Sequence, residues 1–189
     1  MTGREIFRNF GGLIKLFIIL SKCLPKAIQR FLLIKSRNCD SRFGFLLRYI
    51  VVSSLAEHVG RNVAIFPSVF FEHIENLEIG DNVSIHQMCY IDCEGGIVIG
   101  NDVSIAHRTT ILSSNHSYKR YDIPIKYQEM VLERTVINDN AWIGCGCVIL
   151  AGVEIGEGVV IGANSTVSRS IPEKCVAFGS PARVIKKRF

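Results

Sequence analysis

The chain repeats itself every six residues, and few folds tolerate that period. Apolar side chains stand at Val59, Ile65, Phe71 and Leu77, then at Ile79, Ile85, Ile91 and Ile97, then at Ile99, Ile105 and Ile111. After an interruption the step resumes at Ile137 and runs through Ile143, Ile149, Ile155 and Ile161 to Val167. The near copies VGRNVA (59–64), IGDNVS (79–84) and IGNDVS (99–104) mark units twenty residues apart. A helix repeats every ~3.6 residues and a strand about every two, so a step of six fits neither. It suits short strands joined by tight corners, and the Gly, Asn or Asp after many of the aliphatics tolerates corner geometry. Each hexad is then one flat face of a three-sided prism. Its aliphatic residue points inward, and successive turns pair in parallel about 4.8 Å apart.

Such a stack touches only nearest neighbours, so both of its ends need covering. Residues 1–58 are helix-prone and amphipathic around 28–34 and 43–55, and are expected to close one end. The repeat domain spans 59–178 with a protruding loop at 113–135, and 179–189 form a basic C-terminal tail.

Charge is placed unevenly. Residues 1–50 hold ten Lys or Arg against two acids, whereas the remainder holds twelve against fifteen. The basic front is interleaved with Phe, Leu and Ile, which argues against a nucleic-acid arm and for a helix lying on a surface. Residues 4–37 are therefore expected to touch the inner face of a membrane, the alternative being packing against the prism and its neighbours. The most apolar stretch, FGGLIKLFIIL (10–20), has eleven residues and contains Lys15, far short of the ~20 that span a bilayer. The SKCLP that follows is no secretory cleavage site. A cytoplasmic protein is expected.

Seven cysteines stand at 23, 39, 89, 93, 145, 147 and 175, with no Cys-x-x-Cys pair and no histidines at zinc spacing. Reduced, mostly buried thiols and no metal site are expected. A nucleophilic thiol at Cys145 or Cys147 is the competing reading, set against the small apolar-like residues that repeat positions favour.

Three stretches beyond the repeat are specific: Ile-Ala-x-x-x-Thr-Ile-x-Ser-x-Asn-His (105–116), VINDNAWIGCGCVILAGVEIGEGVVIGANSTV (136–167) and IPEKCVAFGSPARVIKK (171–187). Over residues 59–187 the chain resembles the hexapeptide-repeat acyltransferases, whose fold is the left-handed parallel β-helix. It is most similar to their sugar O-acetyltransferase branch, which includes galactoside and maltose acetyltransferases and enzymes that decorate lipopolysaccharide or capsule. The resemblance implies a homotrimer that uses acetyl-CoA as acyl-donor substrate, with a sugar or glycan acceptor bound in the groove between neighbouring prisms. It also makes the interruption an active-site wall, with His116 at its root.

The chemistry agrees with that placement. A neutral alcohol is a weak nucleophile at pH 7, and an imidazole, with an ordinary pKa of about 6.5, is suited to take its proton. His116 is thus the expected general base, and in-line binding of both substrates needs no acyl-enzyme. Asp92 and Asn115 are expected to contact the acceptor or orient the imidazole, Asp92 having a turn-capping role as its rival. Trp142 offers an aromatic face to a sugar, or plain packing. By resemblance, coenzyme A is assigned to Cys145, Ala163, Ser168, Arg169, Arg183 and Lys186. Cys145 departs from the smaller residue usual there.

Three rivals remain. A γ-class carbonic anhydrase shares the fold, but His86 and His107 follow their isoleucines by one and two residues and are expected on opposite sides of the wall. A non-enzymatic repeat scaffold needs neither the histidine nor the basic tail. N-acetylation of an amino sugar is the nearest alternative.

Overall fold

The computed structural model describes residues 3–188, with side chains described from residue 10. Three helices come first: α1 (Gly3–Lys22), α2 (Lys26–Ser36) and α3 (Arg42–Leu55). Pro25 opens α2, and Ser41 caps α3 by accepting a hydrogen bond from Gly44 N at 3.1 Å. Everything that follows winds into a parallel β-helix.

Three parallel ladders form its faces. The first stacks His58–Val59, Leu77–Ile79, Ile97–Ile99, Thr135–Ile137 and Glu154–Ile155. The second stacks Ala64–Ile65, Ser84–Ile85, Ser104–Ile105, Trp142–Ile143 and Val160–Ile161, and continues into Cys175–Gly179. The third stacks Phe70–Glu72, Tyr90–Asp92, Thr110–Leu112, Val148–Ile149 and Thr166–Val167. In register, Ile85 lies on Ile105 and Ile105 on Ile143, so the hexad residues form continuous internal ladders. From Ile79 to Ile161 these isoleucines are at most 1% exposed, each burial stabilising by about 1.5–3 kcal/mol. Val59 and Phe71, on the end rung, are only partly buried.

Corners explain the recurring Asn and Asp. Asn62, Asn82, Asp102 and Asn140 adopt left-handed backbone with φ between 56° and 60°, a conformation these two residue types tolerate best after glycine. Their side chains then bond from turn to turn, Asn62 Nδ2 to Asn82 Oδ1 and Asn82 Nδ2 to Asp102 Oδ1, both at 3.0 Å.

A second inward position stands two residues before each hexad aliphatic. At the start of the third face it carries Val69, Cys89, Thr109, Cys147 and Ser165, all buried. The small polar ones each donate to a corner carbonyl: Cys89 to Ala106 O, Thr109 to Gly144 O, Cys147 and Ser165 to Gly162 O. Burial raises the Cys147 thiol pKa and lifts that of Cys89 to about 11, which suits packing and not nucleophilic attack. A thiol-specific reagent at pH 8 is therefore expected to label exposed Cys23 rapidly in the native protein. Cys89, Cys93, Cys147 and Cys175, all buried, should react only on denaturation, and fast native labelling of Cys147 would contradict this packing.

Both ends are closed. The helices cover the first rung, and at the far end Cys175–Gly179 turns back into Ala182–Lys187 as an antiparallel hairpin. The expected tail from 179 is thus an edge strand for most of its length, and Arg183, Lys186 and Lys187 place on it the charges that discourage further pairing.

Candidate active site

The site is built where the third face meets the first. There the third turn leaves the column: Ser114–His116 pairs antiparallel with Met130–Leu132, placing His116 opposite Met130. The chain rejoins the column at Thr135, whose Oγ1 donates to Leu112 O at 2.7 Å. The expected loop 113–135 is therefore a two-stranded ribbon.

Its root is clamped. Asp92 Oδ2 accepts from Ser114 Oγ at 2.5 Å, and its Oδ1 accepts from Glu94 N at 3.2 Å. Ser113 Oγ donates to Asp92 O at 2.7 Å and accepts from Gly95 N at 2.9 Å. A Cβ on Gly95 would stand 2.2 Å from Ser113 O, so the backbones meet there only because residue 95 has no side chain. His73 Nδ1 lies 3.7 Å from Asp92 Oδ1, and Glu94 joins the same cluster. Both Asp92 oxygens are thus engaged in holding the ribbon, the turn-capping role, and among the described residues Asp92 makes no hydrogen bond to His116.

The tip is braced from within. Gln128 is buried; its Nε2 donates to Arg120 O at 2.7 Å and to Ile123 O at 3.0 Å, while its Oε1 accepts from Arg120 N at 3.1 Å. Arg120 and Asp122 form a close ion pair beside it. Tyr118, Tyr121 and Tyr127 stand exposed on this scaffold. Nothing in the six-residue period pointed to Gln128, Ser114 or Glu94; the one available signal was a buried-type polar residue inside an otherwise exposed tyrosine-rich loop.

His116 itself is exposed at the end of its strand, two residues beyond the clamped Ser114, with half-buried Asn115 between them. Trp142, 55% exposed, stands outside the second face, because its neighbour Ile143 takes the inward position. Cys145 and Ala163 lie at the corner between second and third faces, half-buried and exposed respectively. Ser168 and Arg169 are exposed at the corner after the third face, and Arg183 and Lys186 on the edge strand. Within one chain, then, His116, Asp92, Asn115, Ser168 and Arg169 occupy one corner region, and Trp142 with Cys145 and Ala163 another.

His86 and His107 depart from expectation. Both lie outside the wall, His86 stacked on Phe66 with ring centroids 4.4 Å apart. Burial lowers its pKa and the nearby His107 lowers it further. Strand alternation did not apply because both residues sit in corners, beyond the two-residue strands. The largest concavity, about 710 Å³, lies elsewhere and is lined by Asp139, Glu154, Glu157 and Glu173. Those carboxylates suit no phosphate-bearing substrate.

Comparison with known proteins agrees with this architecture. The family described as bacterial transferase hexapeptide (six repeats) matches residues 134–169. The putative lipopolysaccharide biosynthesis O-acetyl transferase WbbJ of Escherichia coli (strain K12) is 39% identical over 114 residues, covering 57% of this chain and 58% of the relative. The chain thus spans little more than half of that protein. The galactoside O-acetyltransferase of the same strain is 33% identical over 145 residues, covering 74% of this chain and 68% of the relative. Among solved structures, a galactoside acetyltransferase in complex with coenzyme A superposes with a TM-score of 0.76 at 26% identity, over 99% of this chain and 91% of that one. The hexapeptide-repeat acetyltransferase VCA0836 from Vibrio cholerae O1 biovar eltor, complexed with acetyl coenzyme A, gives 0.76 at 27% identity over 86% of each chain. With repeat, rungs and ribbon in common with these enzymes, the chain belongs to the hexapeptide-repeat acyltransferases, in the branch that holds the sugar O-acetyltransferases.

Proposed function

We propose that the protein moves an acetyl group from acetyl-CoA directly onto a sugar hydroxyl, in a cleft shared by two copies of a homotrimer, with His116 taking the hydroxyl proton. The observation that carries this reading is the placement of His116 on a clamped ribbon at one corner while Trp142 stands on another face. A single column does not bring the two together; a neighbouring column does. The ribbon of one copy then walls the groove of the next, and its exposed tyrosines exclude water there.

The donor supplies an activated thioester carbonyl, and the remaining tasks fall to the chain. Exposed Arg169, Arg183 and Lys186 offer cations to phosphates, and exposed, small Ala163 lets a pantetheine arm approach the backbone. His116 accepts the proton as the acceptor oxygen attacks, and later returns it to the departing thiol. Direct transfer is favoured because Cys147 and Cys93 point into the core, their thiols raised by burial. Relatives named for lipopolysaccharide and colanic acid biosynthesis support a surface glycan as acceptor.

Subunit mixing tests the shared cleft. His116→Ala and Trp142→Ala chains are expected to be nearly inactive alone, and to recover about a quarter of the sites when co-assembled at random in a closed ring. If both are inactive alone and the mixture stays so, the two residues do not share an intersubunit site. The same thiol-release assay run with amino sugars distinguishes O- from N-acetylation.

A further inference from the structure

The helical cap leaves a large apolar face open to solvent. On α1, Ile14 and Ser21 turn inward and are buried, with Ile18 partly so, yet Leu13, Leu16, Phe17 and Leu20 on the remaining surface are each about half exposed. Phe31 on α2 and Phe43 at the start of α3 extend the surface, at 56% and 68% exposed. Between the three helices lies a cleft of about 490 Å³ whose lining is apolar except for Ser21. A helix that is apolar on nearly every side is normally covered, and a contiguous exposed patch of this kind marks an interaction surface.

Charge decides what covers it. From residue 10 to residue 39 the chain has no Asp or Glu and carries Lys15, Lys22, Lys26, Arg30, Lys35 and Arg37. All but Arg37 are exposed, and only Arg30 has an acidic partner, Glu75 at 3.2 Å. A second copy docked on this face would set like charges against like. An anionic lipid surface instead meets the cations with phosphates and the apolar residues with acyl chains. No helix among the described residues is long and apolar enough to cross a membrane, so α1 lies in the interface plane.

We propose that the outer face of α1 and α2 docks the protein on anionic membranes, Leu13, Leu16 and Phe31 entering the acyl boundary while Lys15, Lys22 and Lys26 engage lipid phosphates. The proposal goes beyond the acetyl-transfer reading and does not depend on it. Cyclic assembly would add avidity, since symmetry puts equivalent patches in one plane.

The test is co-sedimentation of the full-length protein with phosphatidylcholine vesicles, with and without phosphatidylglycerol. Binding is expected only with phosphatidylglycerol and should weaken steeply with salt. The Leu13→Glu, Leu16→Glu double variant should lose at least about ten-fold in partition for each residue. Lys22→Gln and Lys26→Gln, which disturb no packing, should each lose about five-fold. No partition to either vesicle overturns the proposal, as does binding untouched by both sets of variants. A change of oligomeric state in the leucine variant, seen by light scattering without lipid, also overturns it and assigns the face to a second copy. Acetyl transfer to a soluble sugar, unchanged in all variants, separates this outcome from failure of the catalytic reading.

Discussion

Replacing His116 by alanine should lower kcat/KM for acetyl transfer by about 10²- to 10⁴-fold, the range removed with a general base, while leaving thermal stability unchanged. The second half follows from geometry. The imidazole is exposed at a strand end, and its side chain makes no hydrogen bond among the described residues, so its removal opens no cavity and strands no buried partner. The loss should fall on kcat, because proton removal occurs as the oxygen attacks, whereas KM for acetyl-CoA should stay within about two-fold. Added imidazole is expected to restore part of the rate in the alanine variant, a response that a purely structural role would not give. Turnover equal to the parent, measured as thiol released in the presence of acceptor, would remove the mechanism. Asp92→Asn should behave differently: Asp92 holds Ser114 and the turn at Glu94, so its variant should loosen the ribbon and raise acceptor KM more than it lowers kcat.

The two kinds of site residue were not equally legible. The column could be read because one inward residue recurs every six positions from Ile79 to Ile161 and each is buried. His116 could be read because it stands where that rhythm breaks. The clamp could not, since Ser114 meets Asp92 across 22 positions and Gly95 meets Ser113 across 18. Such pairs depend on how many residues each turn holds and where the ribbon departs, which no local pattern states. The expectation for His86 and His107 failed for a related reason: a two-residue strand alternates only within itself, and both residues lie past its end. The C-terminal segment read as a tail because its basic residues resemble a solvated run, yet Val176 pairs with Lys186 and Phe178 with Arg183 in a hairpin. The cap was legible as helix, but what fastens it to the column was not.

That fastening rests on Arg48, and Arg48→Met should cost about 3–5 kcal/mol. The parallel turns bond in one direction: Phe66 N donates to Ile85 O and Gly60 N to Ile79 O, so the carbonyls of the first rung point off the end of the column. Two neighbours on α3 satisfy them. Arg48 Nε donates to Ile65 O at 2.9 Å, and Tyr49 Oη donates to Gly60 O at 2.8 Å. Arg48 also sends Nη1 to Ser36 O at 2.6 Å and Cys39 O at 2.8 Å, pinning the end of α2 and the following turn. Its guanidinium lies over the Phe45 ring, 4.9 Å from the centroid, and the residue is 1% exposed. Burial lowers its pKa, with Cys39 and Asp40 opposing the shift. Methionine fills the same slot without a donor, so three carbonyls lose their partner in an apolar setting, each costing about 1–3 kcal/mol if left unpaired. For a chain of this length the melting temperature should fall by about 10 °C. Lysine should recover only part of the loss, because a point charge replaces a planar fork. Hydrogen exchange should accelerate first between residues 42 and 66, with the rungs around Ile105 and Ile143 still protected, since a stack of nearest-neighbour contacts opens from its end. A methionine variant that melts within about 1 °C of the parent would show that the apolar contacts of α3 alone hold the cap.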